Sequence, residues 1–182
     1  MNKLLIFPTD TVYGIGCSIY DRDSQMKIYK IKNRPLDKPL AVLCSSIEQI
    51  EEIAYLNDEA RKLIKAFLPG PFTIILKAKE NICDIVGFDT VGVRIPNSTL
   101  ALKILNEIGP MTTTSVNDSG SVALNDYETI YSKYKDLVDE IYKPCGESSN
   151  LASTVVKIEN DDVKILREGA IKLSDIKEIL NK

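Results

Sequence analysis

The sequence predicts an α/β layer structure that contains a mixed β-sheet. Short β-branched or continuously apolar segments recur along the chain, and several are separated by segments that begin at a helix N-cap residue. Other strand segments follow one another directly, which indicates that the sheet is not purely parallel. The length of 182 residues fits one domain, which is predicted over residues 1–182.

Eight segments are predicted to form strands, because most of them are rich in β-branched or apolar residues. The predicted strands are Leu4–Phe7, Leu40–Cys44, Phe72–Lys77, Thr90–Ile95, Met111–Thr114, Leu137–Tyr142, Thr154–Ile158 and Val163–Leu166. Five helices are predicted from their N-cap residues. They run from Asp23 to Ile31, from Ser46 to Ile53, from Asn57 to Phe67, from Asn97 or Ser98 to Glu107, and from Ser174 onward. Two loops rich in Ser, Asn and Gly, Ser115–Asn125 and Pro144–Ala152, are able to close over a site.

The composition is that of a globular protein, with 44% hydrophobic and 27% charged residues. The N-terminal segment is too short for a signal peptide, so a cytoplasmic protein is expected. The chain has no histidine, which excludes Ser-His-Asp and Cys-His nucleophiles, histidine bases and histidine-ligated metals. Its four cysteines form no Cys-x-x-Cys pair and are expected to be buried free thiols. A net charge of −3 disfavours a broad nucleic-acid surface but permits a local basic cleft.

Residues 8–16 read Pro-Thr-Asp-Thr-Val-Tyr-Gly-Ile-Gly and follow the apolar run Leu4–Phe7. A strand therefore leads into a loop rich in hydroxyl groups. Pro8 ends the strand, while Gly14 and Gly16 allow backbone angles and close approaches that a Cβ atom would block. Such a loop suits a small polar ligand, although an ordinary strand-to-helix turn explains this segment equally well.

Five cations stand within twelve residues near the end of the first predicted helix: Lys27, Lys30, Lys32, Arg34 and Lys38. Lys27, Lys30 and Arg34 share one helix face. Close to a nucleotide, these groups would neutralise a triphosphate and the charge that grows on a leaving pyrophosphate. The alternative is a solvated basic helix end that interacts favourably with the helix dipole.

Arg94 stands in the otherwise apolar strand segment Thr90–Ile95. A buried guanidinium requires a carboxylate or phosphate partner, which is either internal or part of a substrate. Ser115 and Asn117 follow another strand and fall on one side of it if the strand continues that far. Neither a P-loop motif nor a complete dinucleotide fingerprint is present. The residues alone therefore indicate an anion-binding α/β protein.

Six motifs can be read along the chain. They are residues 8–16, Lys32-x-Arg34-Pro-x-x-Lys38-Pro-Leu, Val93-Arg94-Ile-Pro96, Ser115-x-Asn117-x-Ser119-Gly120, Ser153-Thr-Val-Val and Leu166-Arg-x-Gly169. Taken together in this order, they resemble the short, single-domain form of the YrdC/TsaC family of threonylcarbamoyl-adenylate synthases. The resemblance spans nearly the whole chain. It implies an open, twisted sheet with flanking helices and a deep, positively charged concavity.

The resemblance also implies the first step of tRNA threonylcarbamoyladenosine synthesis. L-threonine and bicarbonate give an N-carboxy-threonine, whose carbamate attacks the α-phosphate of ATP and releases pyrophosphate. A downstream transferase complex then transfers the threonylcarbamoyl group to tRNA. Since the nucleophile belongs to the substrate, the enzyme needs cations, hydroxyl groups and geometry rather than histidine or cysteine. ATP, with magnesium, is implied as a substrate, and no protein-bound metal or tightly bound cofactor is expected.

The motif matches assign expected roles to individual residues. Catalytic roles fall on Lys32, Arg34, Ser115 and Asn117. Threonine binding falls on Thr11, Arg94, Thr113 and Ser153, and ATP binding on Arg34, Lys38, Thr90, Ser115 and Arg167. A planar guanidinium suits the bidentate recognition of the threonine carboxylate that is expected of Arg94.

Three features differ from the family pattern. The Ser115 motif reads Ser-Val-Asn where Ser-Ala-Asn is commoner, and Leu43 and Ala123 stand at positions that are polar in some relatives. The acidic composition implies weak or indirect contact with tRNA. Two other functions remain open at this point: a carbamoyl-adenylate-forming domain of the hydrogenase-maturation type, and a non-catalytic module that binds double-stranded RNA or assists ribosome assembly.

Overall fold

A computed structural model describes residues 3–146, 148–159 and 162–181. Over these ranges the chain forms nine strands and seven helices. The strands are β1 (Leu5–Phe7), β2 (Gly14–Ser18), β3 (Ala41–Leu43), β4 (Phe72–Lys77), β5 (Thr90–Arg94), β6 (Met111–Ser115), β7 (Glu140–Ile141), β8 (Thr154–Glu159) and β9 (Asp162–Arg167). The helices are α1 (Arg22–Ile31), α2 (Ile47–Ile53), α3 (Asp58–Phe67), α4 (Glu80–Val86), α5 (Thr99–Ile108), α6 (Tyr127–Tyr134) and α7 (Leu173–Leu180).

All nine strands belong to one open sheet, in the order β7-β1-β2-β6-β3-β5-β4-β8-β9. The pairs β1–β7, β3–β5 and β4–β8 are parallel, and the other five are antiparallel. The predicted mixed α/β sheet is thus confirmed. The order also brings strands that are far apart in the sequence next to one another at the centre of the sheet.

Helices pack against both faces of this sheet. In β1, Ile6 belongs to an apolar cluster with residues of α1 and α6, whereas Phe7 packs in another cluster with residues of α5. Successive side chains of a strand point to opposite faces, so α1 and α6 lie across the sheet from α5. A third and larger cluster joins β3, β4, β5 and β8 to α2, α3 and α7. No helix among the described residues has the length and apolar character needed to cross a membrane.

All eight predicted strands are present: β4 has the predicted bounds, and the other seven have shifted ends. The strand β2 and the helices α4 and α6 were not predicted. The predicted strand Leu137–Tyr142 is reduced to the two residues of β7. Asp23 is not the N-cap of α1, because the carboxylate of Asp21 accepts from Ser24 N at 3.1 Å. Ser174 lies inside α7, whose N-cap is Lys172.

The missed strand β2 contains Gly14 and Gly16, which are unfavourable for strands in general. They are required here by the close approach of β6. A Cβ atom on Gly16 would lie 2.6 Å from Thr113 Oγ1, and one on Gly14 would lie 2.8 Å from Thr113 Cγ2. Neither glycine has a positive φ, so close approach rather than backbone angle explains both.

The expectation of four buried thiols is only half right. Cys17 and Cys44 are buried, Cys83 is half-buried and Cys145 is exposed. All four are free.

Candidate active site

A cavity of about 520 Å³ opens on the sheet, between the loop that follows β1, the segment that follows α1 and the loop that follows β6. Among the described residues that line it, four are cations and none is a carboxylate. The cations are Lys32, Arg34, Arg94 and Arg167. Hydroxyl and amide side chains from both loops complete the wall. A lining of this kind favours anionic ligands.

The cavity brings together ten of the eleven residues predicted for the site. They are Thr11, Lys32, Arg34, Thr90, Arg94, Thr113, Ser115, Asn117, Ser153 and Arg167. Leu43 and Ala123, the positions that are polar in some relatives, also line it. Lys38 is exposed and does not, so its contact with ATP stays a prediction.

The cationic segment after α1 is divided rather than compact. Lys27 and Lys30 are exposed on the helix, whereas Lys32 is 2% exposed and faces the cavity. Arg34 donates from Nε to Lys38 O at 3.0 Å and from Nη2 to Pro39 O at 2.8 Å. These bonds fold the segment back on itself and leave three N–H groups of Arg34 for other acceptors.

Lys32 is fixed by three acceptors on the loop that follows β6. Its Nζ donates to Ser115 O at 2.5 Å, to Asn117 O at 2.7 Å and to Asn117 Oδ1 at 2.9 Å. Its carbonyl oxygen accepts from Ser119 N at 2.8 Å. Burial, assisted by the charge of Arg34, lowers the pKa of Lys32 to about 8. Three acceptors are the full complement of an ammonium group, so the geometry stabilises the charged form.

Ser115 and Asn117 lie on the same side, as predicted, although β6 ends at Ser115. Ser115 Oγ donates to Asn117 Oδ1 at 2.6 Å, and Asn117 Nδ2 donates to Ser121 O at 2.6 Å. The side-chain oxygen of Asn117 is thereby shared between Ser115 and Lys32. This leaves Ser115 Oγ with its lone pairs available.

Arg94 has an internal carboxylate partner, which resolves one of the alternatives left open by the sequence. Its Nη2 lies 2.6 Å from Asp10 Oδ1, its Nε donates to Gly70 O at 2.9 Å, and its Nη1 donates to Thr11 Oγ1 at 2.7 Å. Burial lowers the pKa of Arg94, and the negative charge of Asp10 opposes that shift. Arg94 therefore stays a cation, and two of its five N–H groups remain for a ligand.

A second arginine, Arg167, stands at the end of the edge strand β9 and is held by Ser153. Arg167 donates from Nε to Ser153 O and from Nη2 to Ser153 Oγ, both at 2.9 Å. Ser153 Oγ is also 2.8 Å from Thr73 Oγ1. Burial lowers the pKa of Arg167. Its ordinary pKa is high enough for the side chain to keep its charge.

Several polar residues that line the cavity or contact its wall were given no role from the sequence, among them Thr9, Asp10, Thr73 and Ser148. Thr9 and Asp10 stand in the same motif as Thr11, and a carboxylate in that motif was the available signal for the partner of Arg94. Ser148 lies in a predicted loop, and its Oγ donates to Thr11 O. Thr73 lies within β4, where nothing in the sequence distinguishes it from a structural threonine.

Taken together, the wall can hold two kinds of anionic group. The free N–H groups of Arg94 suit a carboxylate, and those of Arg34 suit phosphate oxygens. Within the described residues no cluster of Cys, Asp and Glu has the form of a metal site. The wall thus offers cations, hydroxyl groups and backbone, and these stabilise charge on a bound substrate.

Comparisons with known proteins agree with this architecture. The model of the Sua5/YciO/YrdC family, which carries the description "Telomere recombination", matches residues 1–169. A protein of Methanocaldococcus jannaschii, named provisionally as a threonylcarbamoyl-AMP synthase, is 38% identical over 174 residues, which are 96% of this chain and 83% of the relative. The threonylcarbamoyl-AMP synthase of Pyrococcus abyssi is 34% identical over an alignment 187 positions long, which covers 98% of this chain and 54% of that protein.

The crystal structure of P. abyssi Sua5 complexed with L-threonine superposes with a TM-score of 0.91 at 32% identity. The match covers 98% of this chain and 54% of that one, so this chain spans about half the length of the P. abyssi protein. A family match over most of the chain, together with relatives above 30% identity, shows that the chain belongs to the Sua5/YciO/YrdC family.

Proposed function

We propose that the protein is an L-threonylcarbamoyladenylate synthase, which forms threonylcarbamoyl-AMP and pyrophosphate from L-threonine, bicarbonate and ATP. The observation that carries the proposal is the cavity itself, in which four cations and no carboxylate line the described wall. The names of the relatives and the L-threonine bound in P. abyssi Sua5 support the choice of substrate.

The proposed reaction has two steps. The amino nitrogen of L-threonine forms a C–N bond to the carbon of bicarbonate, with loss of water, and becomes an N-carboxylate. An oxygen of that carbamate then attacks the α-phosphorus of ATP, and the bond from this phosphorus to the bridging oxygen of pyrophosphate breaks. Negative charge grows on the leaving pyrophosphate, where fixed cations lower the barrier.

The residues of the cavity divide between these tasks. Arg94 recognises the threonine carboxylate with its two remaining N–H groups, and Thr113 and Ser153 complete the threonine pocket. Arg34 and Arg167 hold the phosphates of ATP, which carries magnesium, and Thr90 contacts the nucleotide. Lys32 keeps Ser115 and Asn117 in place beside the reacting carbamate.

The biological setting is also part of the proposal. The adenylate is a mixed anhydride, and its natural acceptor is a tRNA adenosine, reached through a downstream transferase complex in the cytoplasm. The isolated chain is expected to bind tRNA weakly, because its net charge is −3 and its site cations face the cavity.

The test is the release of pyrophosphate from ATP by the purified protein. Release is expected only when both L-threonine and bicarbonate are present, with a threonylcarbamoyl adenylate identified by mass spectrometry. Equal release without bicarbonate would contradict the carbamate mechanism. Release with carbamoyl phosphate in place of L-threonine and bicarbonate would instead identify a carbamoyl-adenylate-forming domain.

A further inference from the structure

Thr9 lies in the loop that follows β1, and its single hydroxyl proton has a defined acceptor. Thr9 Oγ1 donates to Val12 O at 2.7 Å and accepts from Thr11 N at 3.2 Å and Val12 N at 3.3 Å, and the residue is 6% exposed. A threonine hydroxyl has one proton, so Thr9 cannot donate to a second group at the same time.

The direction of the next hydrogen bond follows from this. Thr9 Oγ1 and Thr11 Oγ1 lie 3.0 Å apart. Val12 O can only accept and is the shorter contact, so it takes the proton of Thr9 and leaves Thr11 as the donor in this pair. The Thr11 hydroxyl then shares Thr9 Oγ1 with the two longer N–H contacts. The proton of Thr11 therefore points away from Arg94, and Thr11 Oγ1 is free to accept from Arg94 Nη1 at 2.7 Å. The three groups form a chain in which every proton points from Arg94 towards Val12 O.

Thr11 has no exposed surface, which limits how it can act on a ligand. Although Thr11 borders the cavity, its hydroxyl oxygen is engaged by Arg94 Nη1 and lies 3.0 Å from Thr9 Oγ1, so it acts on a ligand through Arg94. The guanidinium is held by three acceptors, Gly70 O, Asp10 Oδ1 and Thr11 Oγ1. Of these, only the Thr11 hydroxyl has a proton that could rotate towards Arg94 and break the hydrogen bond. The hydrogen bond at Arg94 Nη1 thus depends on Thr9, whose hydroxyl Arg94 does not contact.

We infer that Thr9 is a positioning residue, which directs the Thr11 proton away from Arg94 and so holds the guanidinium ready for a ligand carboxylate. This inference deepens the proposed function and rests on it for the identity of that carboxylate. Thr9→Val removes the acceptor for the Thr11 proton and for the N–H groups of Thr11 and Val12, with little change in volume, whereas Thr9→Ser keeps all three contacts. The same substitution in a Thr11→Val protein, which lacks that proton, measures the effect of the lost N–H contacts alone.

Thr112 supplies a matched control for the same substitution. It is buried in β6, and its Oγ1 has no hydrogen-bond partner among the described residues. Thr112→Val therefore removes a buried hydroxyl without breaking a described hydrogen bond, and it leaves the chain from Arg94 to Val12 O intact.

The experiment measures L-threonine and ATP affinity by calorimetry for the wild type, Thr9→Val, Thr9→Ser and Thr112→Val, and for Thr11→Val with and without Thr9→Val. Loss of the Thr11 hydrogen bond predicts about two- to tenfold weaker L-threonine binding for Thr9→Val than for the wild type, and no further weakening when Thr9→Val is added to Thr11→Val. ATP affinity should stay within about twofold. Thr9→Ser and Thr112→Val should match the wild type for both ligands. Wild-type L-threonine affinity in a folded Thr9→Val protein, an equal loss in Thr112→Val, or the same loss when Thr9→Val is added to Thr11→Val would overturn the inference.

A second measurement does not depend on the proposed function. Hydrogen exchange at Arg94 Nε–H, followed by NMR in the ligand-free protein, reports how firmly the guanidinium is held. We expect several-fold faster exchange in Thr9→Val and unchanged exchange in Thr9→Ser and Thr112→Val. If the wild type does not bind L-threonine, the proposed function fails, and this exchange contrast alone decides the role of Thr9. Unchanged exchange in Thr9→Val contradicts it.

Discussion

Lys32 and Asn117 are joined by two hydrogen bonds, since Lys32 Nζ donates both to the backbone carbonyl of Asn117 and to its side-chain oxygen. They stand 85 residues apart in the sequence, and they fasten the end of α1 to the loop that follows β6. An ammonium group held by neutral oxygens keeps its full charge for the cavity, which a carboxylate partner would cancel.

Asn117→Asp tests this arrangement. The substitution keeps the shape of the side chain, turns the neutral acceptor of Lys32 into an ion-pair partner, and removes the donor to Ser121 O. We expect the fold to be retained and ATP affinity to fall by about tenfold or more, because a negative charge enters an anion-binding wall. Calorimetric ATP titration, with thermal unfolding as the fold control, provides the measurement. If the Asn117→Asp protein binds ATP as tightly as the wild type, the charge of Lys32 does not reach the phosphates.

Arg34 and Lys38 should differ in their effect on ATP. Arg34 lines the cavity, and its alanine variant is expected to bind ATP about tenfold or more weakly, since a charge-assisted contact contributes about 1.5–3 kcal/mol. Lys38 is exposed, and screening by solvent limits the expected loss for Lys38→Ala to about two- to fivefold. Parallel titrations of both variants make the comparison. A larger loss for Lys38→Ala than for Arg34→Ala would mean that the phosphates lie outside the cavity.

The pKa of Lys32, lowered to about 8 by burial, predicts a pH dependence. Between pH 8 and the ordinary pKa of 10.5, the unfolded chain binds more protons at this group, so its contribution to folding stability rises with pH. ATP binding has the opposite pH preference, because the phosphates of ATP are attracted to the charged ammonium of Lys32. ATP affinity should therefore fall as pH rises above 8, by at most about tenfold per pH unit for one linked proton.

The titration is best followed with ATP alone, without L-threonine, whose own amino group titrates in the same region. Lys38→Met should retain the wild-type slope above pH 8, and Lys32→Met should lose it. An identical slope in a folded Lys32→Met protein would assign the proton to another group.

Gly16 is expected to tolerate no side chain. A Cβ atom there would lie 2.9 Å from Thr112 O as well as 2.6 Å from Thr113 Oγ1, and the backbone contact cannot be relieved by a rotamer change. Gly16→Ala should lower the free energy of unfolding by about 1–3 kcal/mol, the usual range for overpacking.

Gly92 in β5 is the matched control for Gly16. A Cβ atom at Gly92 would make ordinary contacts, 3.5 Å from Thr73 Cγ2 and 3.8 Å from Ile75 Cγ1. Gly92→Ala should change the free energy of unfolding by no more than about 0.5–1 kcal/mol, in either direction. Urea denaturation of both variants makes the comparison, and equal stability of the two would contradict the close approach of β2 and β6.

Local patterns predicted most of the fold, and they failed where tertiary contacts decide. The strand β4 could be predicted from its own apolar and β-branched residues, whereas β2 is a strand only because β6 accepts its glycines at close range. The helix α6 begins at Tyr127, after the N-cap Asp126, whose carboxylate accepts from Thr129 N. This helix was not predicted, because its sequence Tyr-Glu-Thr-Ile-Tyr has low helix propensity.

The site was predictable where a side chain had an unusual setting. Arg94 in an apolar strand and the hydroxyl motif around Thr11 both pointed to it, and both line the cavity. The burial of Lys32 was not predictable, because its three acceptors come from a loop more than eighty residues away in the sequence. In the sequence Lys27 and Lys30 share a predicted helix face with Arg34, and only the family resemblance singled out Lys32.

The residues that build the cavity are spread over most of the chain, so the parts of the site are synthesised at different times. Thr11 is synthesised long before Ser153 and Arg167, and β2 pairs with β6 about a hundred residues later. A nascent chain that ends before β9 lacks one wall, so substrates cannot assist the early stages of its folding. Contacts between such distant segments also slow folding, because a long loop must close before they contribute. Binding competence should therefore appear only after β9 has been made, and fragments released earlier carry an unfinished, exposed sheet edge that favours aggregation or degradation.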